Sequence, residues 1–157
     1  MDFISIASAM TLTTWSESTI RRRIADGKLI RKLEACTNGR SMVDLDSIQA
    51  HIELKLGEGD LALILAADAG DDQAQTDLAL LFLQAGNVKG ALYWLELAIK
   101  QDNASAMYYL GICHIEGKGV VQDENLGLMW ISKAAVHGHL IAQGMLQSMR
   151  GKLVERA

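Results

Sequence analysis

A fixed register constrains this chain more than any other feature. Ala62, Trp94 and Trp130 each stand twelve residues before Ala74, Ala106 and Ala142, and Leu78, Leu110 and Leu146 follow those alanines by four. Ala66, Ala98 and Ala134 share one phase, Ala91 matches Gly127, and Phe82 falls where His114 falls one unit later. Self-similarity at a fixed period marks a stack of supersecondary units, none of which can bury its apolar face alone. One spacing departs: Ala74 to Trp94 is twenty residues and Ala106 to Trp130 is twenty-four, with the extra four inside residues 117–123. That stretch reads as a loop between helices.

Each unit reads as a helix pair. Ala74, Leu78, Leu81, Phe82 and Ala85 recur at three- and four-residue steps, as do Ala91, Leu92, Leu95 and Ala98, which is the period of a helix that buries one stripe. Asn87 and Asp123 are candidate N-caps of the second helices, since a short side-chain oxygen there accepts from an otherwise orphaned backbone N–H. Small residues at the recurring positions let helices approach closely. Over roughly residues 58–152 the pattern resembles the Sel-one-like repeat, a relative of the tetratricopeptide repeat. The fullest copy carries AMYYLG at 106–111, GKGV at 117–120, Asp123, Trp130, KAA at 133–135 and Gly138. The resemblance implies a right-handed stack of about two and a half helical hairpins that holds other proteins, and it carries no catalytic residues. The last copy puts Gln147 and Arg150 at positions of a family glycine and aromatic, as expected of a solvated end cap.

Composition sets outer bounds. With 157 residues, half of them hydrophobic, and no proline, the chain suits one good core or two small ones made of unkinked helices. Cys36 and Cys113 form no C-x-x-C pair, so neither a zinc site nor a disulfide framework is indicated. No basic segment followed by an apolar core opens the chain, and no apolar stretch approaches membrane-spanning length; a cytoplasmic, bacterial-type protein without a membrane role is the expectation. The net charge of −4 hides an asymmetry. Residues 1–56 carry eight Lys/Arg against seven Asp/Glu, residues 57–157 seven against twelve, and seven basic residues lie between Arg21 and Arg40.

The basic cluster has a structural frame. Residues 5–12 form an amphipathic stretch with Ile6, Ala9 and Met10 on one side, 13–16 a turn, and 17–25 a second helix ending at Gly27. The runs 29–35 and 40–43 flank Asn38-Gly39, a favoured two-residue hairpin turn. A further helix opens at residue 44 with Leu45, Ile48 and Ile52 on one stripe and Asp44 or Asp46 as cap. In WSESTIRRRI at 15–24, GKL at 27–29 and the Asp44-Leu45 after the hairpin, the first 55 or so residues resemble the winged helix-turn-helix of MerR-type regulators and phage excisionases. By that resemblance the second helix enters a major groove and the wing touches backbone. Ile20 and Ile24 share its buried side, so Ser18, Arg22 and Ala25 point outward with Arg21 and Arg23 beside them. Arg22 is the base-edge candidate; Arg21, Arg23, Lys28, Arg31 and Arg40 suit phosphates. Family members commonly carry an aromatic where Arg23 stands.

The expected architecture is therefore mainly α: a winged helix-turn-helix with a small β-hairpin wing over residues 1–56, followed by a short α-solenoid of helical hairpin repeats over 57–157, with the first docked on residues 60–69. The expected function is a DNA-binding regulator or adaptor whose repeat groove, near Trp94, Tyr108, Tyr109 and Trp130, reads a protein partner; self-association would use the repeats. The alternative is a scaffold that does not bind DNA, in which the winged segment caps the solenoid. No catalytic set, cofactor site or metal site is expected. His137 and His139 straddle a helix-ending glycine and project differently, the 117–119 GKG lacks phosphate-loop spacing, and the paired acids Asp71-Asp72 and Asp123-Glu124 sit at helix starts, where carboxylates complement the helix dipole.

Overall fold

The computed structural model describes residues 1–32 and 41–156. These fall into two compact units, residues 1–71 and 72–157. The expected hairpin turn at Asn38-Gly39, together with Cys36 and Arg40, lies outside the described residues.

In the first unit a short strand β1 (Phe3–Ser5) leads into α1 (Ile6–Thr13), a turn, and α2 (Glu17–Ala25); β2 (Met42–Asp44), α3 (Leu45–Ile48), a single 3-10 turn (Gln49–His51) and α4 (Asp60–Ala69) follow. Both leading helices start on a serine. Ser5 Oγ accepts from Ser8 N–H and Ser16 Oγ from Thr19 N–H, each at 3.2 Å, which satisfies one orphan donor of each first turn. The turn between them is made by Thr14 at φ 58°. The expected helix, turn, helix order is present. The expected pairing across the hairpin is present in part: Arg31 bridges Val43 antiparallel, Lys32 N–H donates to Met42 and Asp44 N–H to Ile30. On its other edge β2 pairs antiparallel with β1, Ile4 opposite Val43, a strand not expected from the sequence. Asp44 caps α3 by accepting from Ser47 N–H at 3.0 Å, but the helix is shorter than its apolar stripe suggested, since Ile52 is already extended. Ile4, Ala9, Leu12, Ile20, Val43, Leu45, Ile48 and Ile64 form this unit's buried interior.

Helix α4 carries the repeat register, yet it is anchored in the first unit. Asp68 accepts from Ser5 N–H, from Ser5 Oγ at 2.6 Å and from Ser8 Oγ at 2.5 Å. A carboxylate at the start of α1 is also favoured by the helix dipole. The division of the chain thus falls between Asp71 and Asp72, beyond the composition shift near residue 57.

The second unit contains two antiparallel helix hairpins, α5 (Asp72–Gln84) with α6 (Val88–Ile99) and α7 (Ala104–Glu116) with α8 (Glu124–Val136), then α9 (Leu140–Glu155). Asn87 and Asp123 cap α6 and α8 as expected, accepting from Gly90 and Leu126 N–H at 3.0 and 2.9 Å. Residues 117–123 form the loop between α7 and α8. The second hairpin closes on glycine. A Cβ on Gly111 would lie 2.9 Å from the Gly127 carbonyl oxygen, and one on Gly127 would lie 2.7 Å from that of Gly111, so the two backbones touch where any side chain would hold them apart. Met107, Ile131, Ala134 and Ala142 form a core shared by α7, α8 and α9, with Ile99, Ile112, Ile115 and Leu146 packed around it.

Candidate interaction surfaces

Aromatic residues recur in phase along the repeats, but their surroundings differ. Trp94, expected at the groove, is fully buried, with Tyr93 edge-on at 5.1 Å. It packs between helices and has no face to offer a partner, which corrects its placement among the binding residues. Its indole N–H has no hydrogen-bond partner among the described residues. Trp130, one repeat later, is half-buried, packed against the α7–α9 core with the Lys133 ammonium 4.7 Å from its ring centre. Tyr108 stacks on His139 at 4.4 Å and 19° and meets Tyr109 edge-on at 5.3 Å. Tyr108, Tyr109 and Trp130 all remain partly exposed. Tyr93 is a further half-buried aromatic that the repeat register, centred on the neighbouring tryptophan, did not single out.

His139 does two things here. Its Nδ1 accepts from Ala142 N–H at 3.2 Å and so caps α9, while its ring covers Tyr108. Burial lowers its pKa, so the neutral ring with a free Nδ1 lone pair is the form that fits. Asn103 plays the matching part on α7: Oδ1 accepts from Ala106 N–H at 2.9 Å, and Nδ2 donates to Asp72 at 2.7 Å. Neither cap was anticipated, although Asn103 stands directly before a helical stripe, where such a signal could have been read.

The basic cluster of the first unit lies on and after α2. Ser18, Arg21, Arg22, Lys28 and Arg31 are exposed and Ile20 is fully buried; Ile24, expected beside it, is only half-buried. Arg21 pairs with Glu17 one turn earlier at 2.7 Å. Arg23 is half-buried, its guanidinium 4.0 Å from the ring centre of Trp15, which also contacts the His51 ring at 4.8 Å. Asp68 accepts from Ser5 and Ser8, and Asp60 accepts from Gly57 N–H at 2.6 Å.

Reactive chemistry is sparse. Cys113 is buried, which pushes its thiol pKa up and disfavours the nucleophilic thiolate. Lys118 is held by Glu116 at 2.6 Å, and that hydrogen bond and charge raise its pKa. Among the described residues no three His, Cys, Asp or Glu side chains are grouped so as to hold a metal ion. No helix among them is long and apolar enough to cross a membrane.

Comparison with known proteins falls on the second unit. The Sel1 repeat family matches residues 72–103 and 104–139, the two complete hairpins, with the first match beginning where the second unit begins. Among solved structures, a Sel1 repeat protein from Oxalobacter formigenes is 36% identical, over 55% of this chain and 68% of that one, with a TM-score of 0.50. Two matched repeats, the capped hairpins that embody them and this relative together place the chain among the Sel1 repeat proteins.

Proposed function

We propose that this protein is a non-catalytic scaffold of the cytoplasm whose repeats hold a protein partner. The observation that carries this reading is the second unit itself: two Sel1 hairpins with Tyr108, Tyr109 and Trp130 only partly covered. Tyr and Trp provide large contact area at low cost in side-chain entropy, and they dominate protein–protein contacts. The test is capture of partners from bacterial lysate by the immobilised chain, compared with a Tyr109→Ala/Trp130→Ala variant that still melts cooperatively and with an Arg21/Arg22/Arg23 triple-alanine variant. Loss of a specific partner only in the aromatic variant supports the reading. Capture of no partner that the aromatic variant loses overturns it.

A second reading concerns the first unit as a winged helix-turn-helix that contacts DNA. It is favoured by the helix, turn, helix order followed by strand pairing, with Ser18, Arg21 and Arg22 exposed on α2 opposite the buried Ile20. Selection of genomic fragments near physiological salt, with and without the triple-alanine change, tests it. Enrichment of a defined sequence that the folded variant loses establishes a DNA reader; equal weak capture by both leaves the scaffold alone.

A further inference from the structure

One feature of the first unit is not used by the repeats. A cleft of about 220 Å³ is lined by Ile6, Arg21, Ile24, Ala25, Arg31 and Ser41. It is smaller than the pockets of roughly 300–1,000 Å³ that enclose drug-sized ligands, and suits one or two side chains. Among the described residues half the lining is aliphatic and two residues bear guanidinium groups. Along the sequence, residues 17–32 carry Arg21, Arg22, Arg23, Lys28, Arg31 and Lys32 against Glu17 and Asp26, and Arg21 and Arg31 are the two that line the cleft among the described residues.

The two kinds of anionic partner use such a cleft differently. A nucleic-acid phosphate takes the charges but leaves the aliphatic floor of Ile6, Ile24 and Ala25 in contact with water. A peptide in which a carboxylate neighbours an aliphatic side chain uses both. The guanidinium fork matches a carboxylate in geometry. Arg21 Nε and Nη2 both donate to one oxygen of Glu17, Oε1, at 2.7 Å, through an exposed pair of the kind that is held weakly and exchanges readily. We infer that this cleft binds a short acidic-aliphatic peptide segment, with the incoming carboxylate taking the place of Glu17 on Arg21 beside Arg31 and the aliphatic side chain resting on Ile6, Ile24 and Ala25. The site is independent of what the repeats hold, and it competes with the DNA reading for the same arginines.

The experiment is fluorescence anisotropy of a fluorescein-labelled pentapeptide of alternating leucine and glutamate titrated with the full chain, beside inorganic phosphate as competitor and a labelled mixed-sequence DNA duplex. Ala25→Trp fills the cleft without changing charge, Arg31→Glu reverses its rim, and Arg22→Ala removes a charge outside the lining. Saturable peptide binding is expected, weakened at least tenfold by A25W and by R31E and less than twofold by R22A. Raising salt from about 50 to 200 mM should weaken the peptide by less than tenfold, whereas a duplex contacting six to ten phosphates loses roughly 10³–10⁵. Ala25→Leu is the second cleft variant should A25W melt early. Peptide binding unchanged by a folded cleft variant, displacement of the peptide by millimolar phosphate alone, or binding of the duplex with none of the peptide overturns the proposal. None of these outcomes depends on Tyr109 or Trp130, so the scaffold reading stands or falls separately.

Discussion

The two units reach a stable interior by different means. In residues 72–157 helices approach until backbone meets backbone at Gly111 and Gly127, and a whole tryptophan disappears between them. In residues 1–71 the elements are shorter, the sheet has two three-residue strands with a bridge at Arg31, and a carboxylate far along the chain holds the amino-terminal turn through Ser5 and Ser8. A small domain buries a smaller fraction of its unfolded surface, so directional polar contacts take over part of what apolar area does in the repeats. The repeats should therefore be sensitive to volume and the first unit to the loss of an acceptor.

The largest expected effect tests volume in the repeats. Trp94→Ala empties a fully buried site and should cost about 3–5 kcal/mol in a chemical-denaturation series. Trp130→Ala, at a half-covered site, should cost less than half as much. Equal costs at the two positions would mean that burial does not govern the repeat tryptophans. Next comes Gly111→Val, which drives a side chain into the Gly127 carbonyl and the Ile131 side chain and should cost about 1–3 kcal/mol through overpacking. Gly144→Ala gives the opposite sign. A Cβ there meets nothing within 4 Å, so the change should stabilise α9 by about 0.5–1 kcal/mol through reduced backbone entropy.

On the other side of the comparison stands Asp68→Ala. It leaves the buried Ser8 hydroxyl without its acceptor, and a loss of about 1–3 kcal/mol is expected. Amide exchange read by segment should show the loss in residues 1–71 and leave α7 and α8 protected. Faster exchange throughout would show that the units do not differ in this way.

How much of this could be read in advance follows the same division. The repeat register, the loop at 117–123 and the caps Asn87 and Asp123 were legible because hairpin stacking imposes a spacing that appears directly along the chain. The two leading helices with a turn between them were legible for a similar local reason, the apolar phase of Ile6 and Ala9 in α1 and of Ile20 in α2. Strand β1 was not, because three residues are too few to show alternation. Nor was the attachment of α4, whose helical pattern copies that of the repeats; its allegiance is decided by Asp68 meeting Ser5 and Ser8, 63 and 60 residues away. The difference between Trp94 and Trp130 was equally hidden. Both hold the same register position, but α6 is followed by a full hairpin and α9, whereas α8 is followed within residues 1–156 by α9 alone. For the candidate sites, sequence marked exposed Ser18, Arg21 and Arg22 on α2 but not the engagement of Arg23 by Trp15 or the cleft beside Ile24. Those depend on which side chains turn toward one another, a matter of rotamer and packing rather than of spacing.

The smallest expected effect joins packing to polarity at one residue. His139 is the N-cap of α9 through Nδ1 and the stacking partner of Tyr108, and both roles are filled by the neutral ring. Its folded pKa lies below the ordinary 6.5 because of burial. Well above pH 6.5 the ring is neutral in folded and unfolded chains alike and contributes no pH dependence. As pH falls below that value the unfolded chain takes up a proton that the folded chain refuses, so stability drops, and the drop ends once pH has passed the lowered folded value. Thermal melts of the full chain from pH 7.5 to 5 should show this decline. In His139→Asn, where a side-chain oxygen keeps the cap without titrating, the His139 contribution should vanish. A profile that is the same in the wild-type and His139→Asn chains would mean that the α9 cap carries no proton linkage and that His139 serves as packing alone.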